Sequence, residues 1–139
     1  MIADTNKVIR DYLLTCGTLT DLLATATSIY CPRLPENAEL PAVGFFTRGG
    51  TSTPYIPGIP VPSVQFDCWA DNPIDAREVY RALYDALQGI QNVTVGSYQI
   101  MSAIEEVQGQ DLQEGGSQDR GIPGYYRVLT FFSVMIRAE

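Results

Sequence analysis

The amino-acid sequence predicts an α+β fold: an antiparallel or mixed four- to five-stranded sheet with two main helices packed on one face. Three observations carry this expectation. Two segments repeat apolar side chains at helical spacing, Val8, Ile9, Tyr12 and Leu13 near the start and Ala76, Val79, Leu83, Ala86 and Leu87 in the middle. Residues 63–69 alternate, with Val64, Phe66 and Cys68 on one side and Gln65, Asp67 and Trp69 on the other. The run 125–137 is dense in β-branched and aromatic residues. At 139 residues, 45% hydrophobic and 18% charged, the chain has the size and apolar content for a single domain over residues 1–139, and it shows no internal repeat.

The elements follow in chain order. Asp4 or Thr5 offers an N-cap to the first helix, which is expected to end near Gly17, and Thr20-Asp21 precedes a short second turn at Leu22, Leu23 and Ala24. Ile29-Tyr30-Cys31 enters an extended segment, and Pro32, Pro35 and Pro41 forbid helix beyond it. Residues 42–47, with Val43, Phe45 and Phe46, form a strand bounded by Pro41 and the turn glycines Gly49-Gly50. Residues 49–62 carry Pro54, Pro57, Pro60 and Pro62 and read as a protruding loop.

After the 63–69 strand, Asp71 or Asn72 supplies a cap and Pro73 sits at the start of the second main helix, which Gly89 closes. Glu78 with Arg81 and Arg81 with Asp85 are spaced for weak surface pairs. Residues 93–95 and 98–107 form a hairpin or bent strand turning at Gly96. Residues 108–124 hold too little apolar surface to fold alone and read as a second long loop. In the last strand Tyr126, Val128, Phe132, Val134 and Ile136 face one way and Tyr125, Leu129, Phe131 and Met135 the other, with no charge between Arg127 and Arg137. Such a strand is an aggregation hazard on an open edge, so it is expected to be central or covered by another subunit.

Composition excludes several kinds of chemistry. There is no histidine, which removes Ser-His-Asp and Cys-His catalysis, histidine zinc sites and a histidine pH switch. The net charge of −7, with Lys7 as the one lysine, opposes a protein that grips nucleic-acid phosphates. Cys16, Cys31 and Cys68 form no C-x-x-C pair and are expected to be buried reduced thiols. No signal peptide and no membrane-length apolar run is visible, so a protein made in a reducing cytoplasm is expected.

Site motifs are sparse. Gly49-Gly50 and Gly115-Gly116 precede neither Lys nor a helix start, so neither makes a phosphate loop. Asp67, Asp71 and Asp75 lie close in sequence, but a strand position, a cap and a first-turn carboxylate explain them without a metal. Trp69, Tyr80 and Tyr84 could stack bases, but no basic residues interleave them, and core or subunit contact is the expected role. No catalytic, metal or cofactor residue is assigned. A small enzyme or ligand-binding module using Asp67 and Glu105 with Tyr or Arg partners stands as the alternative.

One motif points outward. The run Val64-Gln65-Phe66-Asp67-Cys68-Trp69-Ala70-Asp71-Asn72-Pro73, leading into Ala76-Arg77-Glu78-Val79-Tyr80-Arg81-Ala82-Leu83, resembles the tail terminator, or tail-completion, proteins of long-tailed bacteriophages. In that family a "V-Q-x-D-x-W-A" strand feeds an "A-x-x-x-x-x-A-L" helix. The long 49–62 and 108–124 loops depart from the pattern and leave a neighbouring neck or head-completion protein as the alternative. The resemblance implies a non-enzymatic subunit of a homohexameric ring at the head-proximal end of the tail tube. The ring stops tube polymerisation and joins the capsid connector. Its implied partners are its own copies, the tail tube protein and the head-completion or connector protein, with DNA only as passing cargo and no membrane. Its implied location is the virion tail, after assembly in the host cytoplasm. Contact with another subunit or partner is expected at Trp69, at Tyr55 and Ile56 of the first loop, at Leu112 of the second, and at Tyr125 and Phe131 of the last strand.

Overall fold

The computed structural model describes residues 2–35, 38–52, 55, 58–114 and 125–138. Helix α1 spans Thr5–Leu14 and a single turn, α2, spans Gly17–Thr20. Strands β1 (Ile29–Tyr30), β2 (Ala42–Thr51) and β3 (Val61–Ala70) precede α3 (Pro73–Leu87), which is followed by β4 (Gln91–Val95), β5 (Tyr98–Glu114) and β6 (Tyr125–Ala138). The sheet has six strands in the order β1-β2-β3-β6-β5-β4. β1 lies parallel to β2 and every other pair is antiparallel, so the sheet is mixed. The expected four to five strands become six because Ile29-Tyr30 pairs with Val43 and Gly44 instead of remaining an extended connector.

Local chemistry sets the helix starts. The Asp4 carboxylate accepts the Lys7 N–H, and the Asn72 side chain accepts the Asp75 N–H at 2.8 Å directly before Pro73. Replacing Asn72 with Ala is expected to cost about 1 kcal/mol of stability, measured by urea unfolding, because one orphan amide of α3 loses its acceptor. The second turn comes earlier than expected, at Gly17–Thr20 instead of 22–24, and α1 stops at Leu14, with the Thr15 and Cys16 amides bonding Tyr12 and Leu13 carbonyls.

Both expected loops give up residues to strands, while 115–124 of the second, with Gly115-Gly116, lie outside the described residues. β2 continues through Gly49 and Gly50 to Thr51, and Val61 and Pro62 already belong to β3. Gly49 and Gly50 are not turn residues: they sit within β2, at the irregularity between Thr47 and Gly50. Gly50 has φ 134°, and a Cβ there would lie 2.2 Å from the Val61 carbonyl oxygen, so only glycine lets the strands stay paired. Residues 108–114, read as loop, are the far half of β5, paired to β6 as far as Glu114 with Tyr125. Polar composition hid this strand because its partner supplies the apolar surface.

β6 is central, between β3 and β5, the first of the two arrangements its apolar sides allow. One face of the sheet presents Val64, Phe66, Cys68, Val128, Phe132, Val134 and Ile136 to a core shared with Val8, Ile9 and Leu13 of α1, Leu19 of α2, and Val79, Leu83 and Leu87 of α3. We call this the inner face. Cys68 is buried in it, and burial pushes its thiol pKa up, whereas Cys16 and Cys31 are only half-buried; all three are free.

Candidate functional site

The register defines the opposite, outer face. Across it run the rows Phe46–Gln65–Phe131–Val107, Gly44–Asp67–Leu129–Gln110 and Ala42–Trp69–Arg127–Leu112. Ile104 and Met135 pair with Ser133 and Ser102 on the same side. Ile104 is 56% exposed, Val107 49% and Tyr125 53%, while Phe46, Leu129, Phe131 and Met135 are half-buried. These side chains form an apolar strip outside the core, on the side of the sheet away from the core residues of the helices.

Arginines are laid across the strip. The Arg48 guanidinium lies 4.0 Å from the Phe131 ring centre, and that of Arg127 lies 5.3 Å from Trp69. Arg127 also holds the Asp67 carboxylate at 3.1 Å, to which Gln65 donates at 3.3 Å. Beside this pair opens a cleft of about 500 Å³ lined by Arg33, Leu34, Leu40, Trp69, Asp71 and Tyr125, among others.

Four of the six expected contact residues, Trp69, Leu112, Tyr125 and Phe131, meet on this face. Tyr55 stands in the β2–β3 connection, 91% exposed, and Ile56 lies outside the described residues. Arg48, Ile104 and Val107 were not singled out from the sequence. The bulges between Thr47 and Gly50 and along β5 reverse the alternation there, so counting by twos assigns no face.

The carboxylates of the alternative reading do not converge. Asp67 is on the outer face, whereas Glu105 pairs with Phe132 and accepts hydrogen bonds from the hydroxyls of Tyr80 and fully buried Thr130, each at 2.7 Å. Nor do the three aromatics make a platform: Tyr80 is buried against the inner side and Trp69 lies on the outer. The Tyr80 hydroxyl also accepts the Gly109 N–H, Arg77 donates to the Gly109 carbonyl, and the Gln88 side chain accepts the Glu105 N–H. Side chains from α3 and its cap thus satisfy the free edge of β5 beyond the reach of β4.

Burial, followed by the hydrogen bond to Glu105, pushes the Tyr80 pKa up to about 12. The folded state therefore holds the phenol proton above the ordinary value of 10, and the associated stability is complete below pH 10 and lost as pH rises toward 12. Tyr12, raised by burial to about 12, acts in the same direction. Urea midpoints measured from pH 8 to about 11.5 are expected to fall above pH 10, and to fall less steeply in Tyr80→Phe.

Among the described residues no group of three or more acidic or cysteine side chains could hold a metal ion, and no helix is long and apolar enough to cross a membrane. No family model and no curated protein sequence matches the chain. A solved structure does. The fold is similar to that of a chain in the virion of a native gene transfer agent particle, with TM-score 0.65 over 94% of this chain and 92% of that one, at 12% identity.

Proposed function

We propose that this chain is a structural subunit of a phage-like virion, a tail terminator that closes the head-proximal end of a tail tube as a homohexameric ring. The observation that carries the reading is the end-to-end likeness of fold to a virion chain, in a protein whose outer sheet face leaves an apolar strip for another subunit to cover. The strand-to-helix motif of residues 64–83 supports the finer assignment. In this role the ring stops tube polymerisation and joins the capsid connector. Its partners are its own copies, the tube protein and the connector, and DNA passes through without being held. The acidic balance suits a conduit, because a wall of net negative charge repels phosphates where a basic wall would retain them.

The test is mass measurement of the purified protein at high concentration, together with electron microscopy of the protein mixed with tail tubes. Closed rings that cap tube ends are expected. A strict monomer that neither caps nor binds tubes would overturn the reading, and rings that bind connectors but not tubes would move the protein to the neck.

A further inference from the structure

The molecule carries two unlike surfaces on opposite sides. Among the described side chains on the outer side of the sheet and its cleft, Arg33, Arg48, Arg127 and Arg137 stand against Asp71 and Asp67, the latter held by Arg127. This is a locally basic face on a chain of net charge −7. The solvent side of α3 is its complement. Ile74, Glu78, Arg81 and Asp85 follow one another at helical spacing, with Asp75 and Tyr84 beside them. Arg81 is bound to Glu78 at 2.7 Å, so the exposed acids Asp75 and Asp85 set the sign. Ile74, 74% exposed at the start of the helix, is an apolar knob on this acidic stripe, as Ile104 and Val107 are on the basic face.

We infer that the outer sheet face of one copy docks the acidic α3 stripe of the next, so that the contact between subunits is heterologous and head-to-tail. The inference rests on the ring proposed above and names the faces that meet in it. Charge selects the occupant: two outer faces would bring arginines against arginines and two α3 stripes acids against acids, whereas the mixed pair is opposite in sign and carries exposed apolar side chains on both faces. A patch that differs from its partner patch also leaves one free copy of each on every dimer, the requirement for rings. A sheet-to-sheet dimer would use up the sheet face and stop at two.

The test uses two double variants of the full chain. Arg48→Glu with Val107→Glu alters the outer face, and Ile74→Lys with Glu78→Lys alters the α3 stripe; all four positions are exposed, and far-UV circular dichroism checks the fold. Sedimentation is expected to show each variant alone self-associating at least roughly tenfold more weakly than the unaltered protein. An equimolar mixture regains assembly, because one intact pair of faces remains and the two altered faces now carry opposite charges. Unweakened assembly of either variant alone, or a mixture that fails to recover it, overturns the inference while leaving the ring in place. An unaltered protein that neither associates nor caps tubes overturns the ring and the inference together.

Discussion

Phe66→Ala is expected to lower the unfolding free energy by about 3–5 kcal/mol, the range for deleting a buried aromatic ring. Phe66 is fully buried at the centre of the inner face. Its ring stacks on Phe45 of β2 with centroids 5.6 Å apart and meets Phe132 of β6 edge-on at 5.7 Å. Three adjacent strands therefore lose a shared contact at once. Close packing leaves the neighbours little room to collapse into the vacated volume, because backbone pairing pins Phe45 to Phe66 and Phe66 to Thr130 on either side. Urea unfolding followed by circular dichroism measures the loss. A change under about 1 kcal/mol, below what even one buried methylene group and its cavity account for, would contradict this packing.

Gly109→Ala is the second large effect. Gly109 lies where β5 carries extra residues between Val107 and Gln110, and a Cβ there would lie 2.7 Å from the Tyr80 ring and 2.9 Å from a Val128 methyl carbon. Neither neighbour is free to give way. Tyr80 is held by Glu105 and by the Gly109 amide itself, and Val128 is buried in the central strand. Overpacking of this kind costs about 1–3 kcal/mol, and displacement of the phenol adds about 1 kcal/mol for its hydrogen bonds. The same urea measurement checks the sum. Gly109→Ala combined with Tyr80→Ala provides the control, since the clash vanishes when the ring is gone and the two changes become strongly non-additive.

Much of the inner half of this protein was legible from residue types alone. The α1 and α3 periodicities, a cap at Asp4 or Thr5 and another at Asp71 or Asn72, and the alternation of Val64, Phe66 and Cys68 are local statements that local sterics and hydrogen bonding enforce, the structure choosing Asp4 and Asn72 within each pair. For β6 the residue types narrowed the choice without deciding it. Apolar side chains on both sides of a strand have few stable positions, so Tyr125, Leu129, Phe131 and Met135 left a central place in the sheet or cover by another subunit, and the strand order places β6 centrally.

Tertiary structure decided the rest, in each case because the deciding partner is remote in sequence. Residues 108–114 carry no strand signal of their own and become β5 only because β6 lies alongside. Gly50 and Gly109 are needed for approaches to Val61 and Tyr80 that no local pattern records. The outer face exists as a surface only after register and bulges bring Arg48, Trp69, Val107, Leu112 and Phe131, from four strands, onto one side. Residue types determined the two main helices and the strands with apolar patterns of their own and excluded histidine chemistry; only the paired sheet determined which apolar residues lie outside the core, because facing is a property of strands aligned together.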